Sequence, residues 1–288
     1  MADPVIVGVD AVPSMAGTVD WAADEARLRG TRLRLVHAWL PQPEDTPDAQ
    51  SNALVRRVAE QLVAELTAHA AARHPELDVS SQIVLDGPRT ALAALSRTAT
   101  LLVLGARGSG GFPGLLAGST SLYLAASAHC PVVVVPADWD GGTDRTGGVA
   151  VGVRGKDSAS APLSFGFEAA ERRELPLRVV HAWRNPLLLG HGHALPPVYE
   201  KGQIADEQNR LVAEILAGWR QRYPDVTVGV DLAHSGAARH LVELSATERL
   251  LVLGRHGSPQ GIVGRLGSVS QAVVHHSRCP VAVLPHHD

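Results

Sequence analysis

The sequence predicts an α/β protein made of two tandem, open, five-stranded parallel sheets with helices on both faces. Short apolar runs typical of buried strands alternate with helical patterns in each half, and much of the sequence of the first half recurs in the second. A length of 288 residues also suggests about two domains. We therefore expect a first domain over 1–137, a linker over 138–147 and a second domain over 148–288.

The first half opens with an apolar run, Val5–Val9, which predicts the first strand, and Asp10 follows it directly. Helical spacing predicts a helix over about Ser14–Arg29, and the alternating segment Arg32–Ala38 predicts the second strand. The same reasoning places the next helix, strand and helix at Asn52–Ala72, Val79–Leu85 and Pro88–Thr98. Apolar residues of the Asn52–Ala72 helix stand at helical spacing: Leu54, Val55, Val58, Leu62, Val63 and Leu66.

The stretch Leu101–Pro136 is the most informative part of the first half. A buried strand ends at Gly105, a glycine-rich loop follows, and a helix is predicted to open near Gly118 before the fifth strand, Val132–Val135. The segment Leu250–Pro285 repeats this sequence pattern, and the glycines that define its spacing each lie 149 residues after their counterparts. Both copies read Gly-x-x-Gly, nine residues, Gly-Ser, so the spacing is a repeated device rather than a chance loop.

This device is suited to binding phosphate. A strand that ends in glycine lets backbone N–H groups approach a ligand without an intervening Cβ. A helix that opens at Gly118-Ser119-Thr120 offers unpaired N–H groups, a positive dipole end and hydroxyls, all of which favour an anion. The alternative is that the glycines only form turns and that Ser119 is only a helix N-cap. The duplicated spacing favours phosphate binding.

The second half follows the same order with one longer connection. VGVD at Val7–Asp10 returns as VGVR at Val151–Arg154, displaced by 144 residues, so five extra residues precede the glycine loop. The extra length is assigned to the loop Arg184–Gly202. The later elements of this half are predicted at Ile204–Arg220 (helix), Val226–Leu232 (strand) and Ala237–Ala246 (helix).

Ligands of open parallel sheets bind beyond the carboxyl ends of the strands. The first, second and fourth strands of the first half end at Asp10, Ala38 and Gly105. In the second half the corresponding ends are Arg154, Ala182 and Gly254. We therefore expect one crevice per domain.

Composition excludes several classes of function. The net charge is −3 and no basic stripe is interleaved with aromatic residues, which argues against a nucleic-acid partner. Neither a signal peptide nor a membrane span is apparent in the sequence. The two cysteines, Cys130 and Cys279, occupy equivalent repeat positions, which favours two separate buried thiols in a reducing cytoplasm.

Catalytic motifs are not apparent. The glycine loop lacks the Gly-Lys-[Ser/Thr] of a P-loop, and the only lysines are Lys156 and Lys201. His191 and His193 stand two residues apart in the longer loop, but no further ligand lies at a standard metal-site spacing, so no metal site is predicted. Leu187–Leu189 in the same loop is either a lid or partner surface or, as we prefer, a cover over the domain's own core.

These features together resemble a known family. An initial strand that ends in Asp, the G-x-x-G-x9-G-[S/T] loop after the fourth strand and the closing CPVVVV resemble the nucleotide-binding branch of the universal stress protein family. Two copies in one chain are similar to its tandem form. The resemblance covers almost the whole chain and implies Rossmann-like domains that bind ATP, together with Mg²⁺.

The resemblance also implies which residues bind. In the first half, it places adenine against Gly8, Val9, Ala38 and Leu104, with Asp10 near the ribose and phosphates. It places the phosphates on Gly105, Arg107, Gly108, Gly118, Ser119 and Thr120. The corresponding residues of the second half are Gly152, Val153, Arg154, Ala182, Gly254, Gly257, Gly267, Ser268 and Val269.

The halves match the family unequally. Arg154 stands where the family pattern has Asp, and it either pairs with a phosphate or projects into solvent. Val269 replaces Thr120 and removes a hydroxyl. The first site is therefore expected to bind ATP in the family manner and the second to be altered or weaker.

Three functions fit these expectations. The first is a cytoplasmic ATP-binding stress-response module whose nucleotide shifts conformation or assembly. The second is a slow ATPase or nucleotide-dependent transferase on the same fold, and the third is a structural tandem dimer with vestigial glycines. Fold alone does not decide among them. The missing P-loop lysine and the lack of an apparent catalytic base favour the first.

The last strands of the two halves are apolar runs that would be hazardous as exposed edges. The resemblance suggests that Val132–Val135 pairs edge to edge with Val281–Leu284 within the chain. It also leaves room for a homodimer of whole chains.

Overall fold

A computed structural model describes residues 3–12, 14–43, 51–108, 117–155, 159–183, 203–234, 236–255 and 266–285. The predicted α/β class is confirmed, because strands and helices alternate through both halves. The longer loop of the second half lies outside the described residues, and so do the candidates His191, His193 and Leu187–Leu189.

Ten strands form one continuous sheet. The strands are β1 Val5–Gly8, β2 Leu33–Ala38, β3 Val79–Val84, β4 Leu101–Gly105, β5 Val132–Val135, β6 Val149–Gly152, β7 Leu177–Ala182, β8 Val228–Ala233, β9 Leu250–Gly254 and β10 Val281–Leu284. Their spatial order is β3-β2-β1-β4-β5-β10-β9-β6-β7-β8. Neighbours within each half are parallel, whereas β5 and β10 meet antiparallel, with Val133 opposite Ala282.

Eight helices cover the sheet within the described residues. They are α1 Met15–Leu28, α2 Ser51–Arg73, α3 Pro88–Leu95, α4 Ser119–Ser127, α5 Ser160–Arg173, α6 Gln203–Arg222, α7 Ala237–Leu244 and α8 Ser268–His276. The central strands are buried on both faces, which is why β4 and β9 both read as the continuous apolar run LLVL. Two apolar layers result, one on each side of the sheet.

Helix α2 is amphipathic in an unusual way. Val63 is buried in the core, but Leu54 and Val58, one and two turns from the helix start, are 60% and 53% exposed. Although these two residues stand at helical spacing with Val63, their side chains are therefore not buried in the hydrophobic core. The N-terminal part of α2 instead presents apolar side chains to the cavity described below.

A buried ion cluster joins the two halves between α1 and α5. Glu25 is 1% exposed and forms ion pairs with Arg29 of its own helix and with Arg173 of α5. Each guanidinium also lies over an aromatic ring of the other half, Arg29 over Phe165 at 5.0 Å and Arg173 over Trp21 at 5.8 Å. Burial alone would raise the pKa of Glu25, but Arg173 and Arg29 outweigh it and hold that pKa below its ordinary value.

The segment between the halves is fixed by hydrogen bonds to the second half. The Arg145 guanidinium donates to the carbonyl oxygens of Glu248 and Arg278 at 3.1 and 2.6 Å. The buried carboxylate of Glu248 accepts from the Gly148 N–H at 2.7 Å. These bonds satisfy polar groups at the point where the chain enters β6.

The prediction of two separate buried thiols is confirmed. Cys130 and Cys279 are both free and buried, and burial raises the pKa of each thiol to about 12. Both thiols are therefore protonated at neutral pH. Among the described helices, none has the length and apolar character that crossing a membrane requires.

Candidate functional site

The carboxyl ends of β1, β2 and β4 meet the start of α4 around a cavity of about 720 Å³. Every residue that the sequence assigned to the first site lines this cavity: Gly8, Val9, Asp10, Ala38, Leu104, Gly105, Arg107, Gly108, Gly118, Ser119 and Thr120. The structure therefore brings together residues that lie up to 112 positions apart in the chain.

One end of the cavity is rich in backbone donors. Helix α4 begins at Ser119, its N-cap is Gly118, and no side chain caps its first N–H groups. The Ser121 hydroxyl instead donates to the Gly105 carbonyl oxygen at 2.8 Å, which ties the helix start to the end of β4. The first N–H groups of the helix have no intrahelical partner, so this end is suited to an anion.

Gly108 lies close to the Asp10 carboxylate at the same end. A Cβ at this position would lie 2.8 Å from Oδ2 of Asp10, closer than real Cβ contacts allow. The other carboxylate oxygen of Asp10 accepts from the Ala11 N–H at 2.8 Å. The loop and the end of β1 are therefore packed so that only glycine leaves Asp10 in place.

The opposite end of the cavity is apolar. Val36, Leu92 and Leu104 form its floor, while Leu54 and Val58 of α2 form an exposed wall. An apolar end joined to an anion-binding end is complementary to an amphipathic ligand with a flat apolar part and a charged part.

Two polar side chains of the apolar end lie outside the predicted site. The His37 Nδ1 lies 2.9 Å from the Val9 carbonyl oxygen, and the Trp39 Nε1 is buried without a hydrogen-bond partner among the described residues. At the level of sequence, His37 and its repeat counterpart His181 are either structural or cavity-lining residues, and Trp39 is not singled out. Both residues belong to the sequence VHAW, which stands at the end of β2 and recurs at the end of β7. This repeat is the signal that could have identified them.

The second half repeats the device around a smaller cavity of about 400 Å³. Its lining includes eight of the predicted residues: Gly152, Val153, Arg154, Ala182, Gly254, Gly267, Ser268 and Val269. Gly257 lies outside the described residues. Gly267 caps α8 as Gly118 caps α4, and the Ser270 hydroxyl donates to the Gly254 carbonyl oxygen at 3.1 Å.

Side chains distinguish the two cavities. Arg154 is exposed at the rim where the first half has Asp10, and Val269 replaces Thr120. His181, the counterpart of His37, is not in the described lining of the second cavity, and α6 contributes none of that lining either. The backbone cradle is therefore shared, whereas the charge at the rim and the apolar end differ.

A resident metal centre is not preassembled in the described part of the chain, because no three His, Cys, Asp or Glu side chains converge there. Asp10 is the single acidic residue in the described lining of the first cavity. One carboxylate beside a phosphate cradle fits Mg²⁺, which is usually held by one or two carboxylates together with the phosphates of its ligand.

The fold and its cavities define a tandem parallel α/β protein in which each half has a helix start without a side-chain cap at the edge of a cavity. The model of the universal stress protein family matches residues 1–136 and again residues 148–285. The chain belongs to this family.

Its relatives include mycobacterial proteins that match almost its whole length. Universal stress protein Rv1996 of Mycobacterium tuberculosis is 32% identical over 97% of this chain and 94% of its own length. Universal stress protein Rv2005c of the same organism is 34% identical over 97% of this chain and 96% of its own. A universal stress protein structure from Archaeoglobus fulgidus superposes with a TM-score of 0.73, at 15% identity over 99% of this chain and 97% of that one, which supports the shared fold.

Proposed function

We propose that this protein binds ATP with Mg²⁺ in the first-half cavity and that the bound nucleotide sets conformation or assembly. The observation that carries the proposal is the joining of an uncapped helix start and glycine cradle to an apolar cavity end. Phosphates suit the first part and a purine base suits the second.

The assignment of ligand groups follows from this polarity. The base would lie against Gly8, Val9, Ala38 and Leu104, and Asp10 would share Mg²⁺ with the phosphates. The phosphates would lie against Gly105 and Gly118 and would be held by Arg107 and by the backbone N–H groups of Gly108, Ser119 and Thr120. The Gly118 N–H itself donates to the Ala106 carbonyl oxygen at 2.6 Å. The second cavity, with Arg154 at its rim, would bind more weakly or differently.

A regulatory role fits better than fast catalysis. The chain carries no P-loop lysine motif, and the described cavity lining offers Asp10 as its one acidic side chain. The pairing of β5 with β10 places both cavities on one continuous sheet. Through this sheet, a nucleotide in one half would influence the packing of the other, and the protein would act as a single unit.

Calorimetric titration with ATP, with and without Mg²⁺, tests the binding. Chromatography of the same mixtures measures turnover to ADP, and hydrogen exchange measures the conformational response. We expect saturable binding, slower exchange around α4 and negligible turnover. An absence of binding at millimolar ATP would contradict the proposal and favour a structural role, whereas ATP turnover that is lost in Asp10→Ala would favour the enzyme.

A further inference from the structure

Among the differences between the two halves, one helix position lies beside the histidine at the end of the second strand. Helices α2 and α6 share the text LVAE, which aligns Leu62 with Leu211 at a displacement of 149 residues. The same alignment pairs Ala59 with Gln208. Ala59 is 2% exposed and lines the first cavity together with His37.

In the first half, the His37 imidazole keeps one nitrogen available. The Val9 carbonyl oxygen can only accept a hydrogen bond, so Nδ1, 2.9 Å away, carries the proton. A neutral ring then has its lone pair on Nε2, and the described residues make no hydrogen bond to that atom. The methyl group of Ala59, which lines the same cavity, has no hydrogen-bond donor to offer it.

In the second half, the same nitrogen is already used. The His181 Nδ1 lies 3.1 Å from the Val153 carbonyl oxygen, and its Nε2 lies 2.8 Å from Oε1 of Gln208. Since Nδ1 donates to Val153, a neutral ring accepts at Nε2 from the Gln208 N–H once that amide is rotated by 180°, and in either amide orientation Gln208 occupies Nε2. His181 is only 4% exposed as a result.

We propose that position 59 and its counterpart 208 determine which cavity admits a nucleoside. In the first half, Ala59 leaves room and His37 Nε2 accepts a hydrogen bond from the nucleoside, either from the base amino group or from a ribose hydroxyl. In the second half, Gln208 fills that volume and occupies His181. This inference rests on the proposed nucleotide binding and names the residues that restrict it to one half.

The exposed wall of α2 supports the same assignment. Leu54 and Val58 line the first cavity while remaining largely exposed, so a flat apolar ligand would cover them. Their counterparts in α6 are Gln203 and Glu207, which are polar. The counterpart of Val55, which also lines the first cavity, is Ile204, so the apolar surface offered to a base is reduced in the second half.

Exchanging the two residues tests the proposal. Calorimetric titration with Mg-ATP is expected to give one site per chain in the wild type. Ala59→Gln is expected to weaken that site at least about tenfold, since it fills the cavity and ties up the His37 acceptor. Ala59→Ser, whose side chain is too short to reach the ring, is the control and should bind within about threefold of the wild type.

The reciprocal change is expected to gain binding, which a misfolded protein cannot do. Gln208→Ala should add a second, weaker site, whereas Gln208→Glu, of similar size, should leave one. If Ala59→Gln binds as tightly as the wild type, or if Gln208→Ala adds no site, the inference is wrong although nucleotide binding stands. A wild type that already binds two nucleotides also overturns it, and a wild type that binds none overturns both proposals.

Nucleotide analogues identify the hydrogen bond. His37→Phe is expected to weaken ATP about tenfold, the effect of one lost hydrogen bond and an unsatisfied partner. Purine riboside triphosphate lacks the base amino group, and 2′-deoxy-ATP lacks one ribose hydroxyl. The analogue whose affinity is the same for wild type and His37→Phe reveals the donor. If ATP and both analogues bind wild type and variant alike, His37 accepts no such bond and this part of the proposal is wrong.

Discussion

The two halves of this chain share a backbone and differ in the side chains that would use it. In both, a strand ends in glycine, a helix opens at Gly-Ser without a side-chain cap, and a serine of that helix donates to the end of the strand. The first cavity measures about 720 Å³ and the second about 400 Å³. A duplicated backbone cradle is therefore surrounded by a different cavity in each half.

The charge at the rim also differs between the two cavities. The first rim carries Asp10, which would share Mg²⁺ with phosphates, and the second carries the exposed Arg154. The asymmetry extends to the junction, where Glu25 of α1 neutralises an arginine from each half and its repeat counterpart is Ala169. The first half therefore supplies both the larger cavity and the shared carboxylate.

The largest expected effect is on stability. Glu25→Ala should lower the free energy of unfolding by about 3–5 kcal/mol, because it leaves Arg29 and Arg173 without their buried counterion. Urea denaturation measures the change. Glu243→Ala, which breaks the exposed pair with Arg239, is the control and should cost less than about 1 kcal/mol. Equal effects of the two substitutions would show that the junction cluster does not hold the halves together.

The same carboxylate predicts a pH dependence. The folded-state pKa of Glu25 lies below its ordinary value of 4.5, so its contribution is fully present above that pH and is lost as the pH falls through the folded pKa. The difference in unfolding free energy between wild type and Glu25→Gln should therefore shrink on acidification below about pH 4.5. A difference that grows instead would mean that the carboxyl is protonated in the folded protein.

The next effect is on binding at the phosphate end. Gly108→Val should weaken ATP binding up to about a hundredfold, because its Cβ displaces Asp10 and the loss of charge-assisted hydrogen bonds costs about 1.5–3 kcal/mol each. Calorimetry measures the affinity. The matched change in the second half, Gly257→Val, should leave the affinity unchanged. The reverse pattern would assign the nucleotide to the second half.

A smaller effect tests the charge at the two rims. Asp10→Asn should weaken Mg-ATP about tenfold while affecting ATP without Mg²⁺ much less, because the lost group is the one that shares the metal. Arg154→Asn should change neither affinity. If Arg154→Asn weakens ATP as much as Asp10→Asn does, Arg154 binds phosphate and the second site is functional.

The smallest effect concerns the apolar wall. Val58→Ser removes apolar surface that a base would cover, which corresponds to about 1 kcal/mol and a roughly fivefold loss of affinity. Glu207→Ser, the equivalent change in α6, should have no effect on affinity. Binding unchanged by Val58→Ser would place the base away from α2.

The glycine cradle could be predicted from sequence because it depends on residue type and spacing, and both copies preserve the spacing. The apolar end of the first cavity could not be predicted in this way. Helical spacing identified Leu54 and Val58 as an apolar face, but spacing does not say whether a core or a cavity lies opposite that face. The bond between His181 and Gln208 was equally inaccessible, because the longer loop changes the displacement between repeats from 144 to 149 residues ahead of α6.

The junction was predicted only in outline. Apolar closing strands indicated an edge that needs a partner, and β5 and β10 are neighbours in the sheet. No sequence feature indicated that Glu25 is buried, since a glutamate usually faces solvent and the residue before it is Asp24. Only the three-dimensional approach of α5 explains why this carboxylate is buried.

The nucleotide content of the purified protein tests the central claim most directly. Denaturing the protein, separating the released small molecules by chromatography and identifying them by mass spectrometry counts the nucleotides bound per chain. The account predicts one adenine nucleotide per chain, chiefly ATP. Two per chain would contradict the asymmetry between the halves, and none, even after incubation with ATP and Mg²⁺, would contradict nucleotide binding itself.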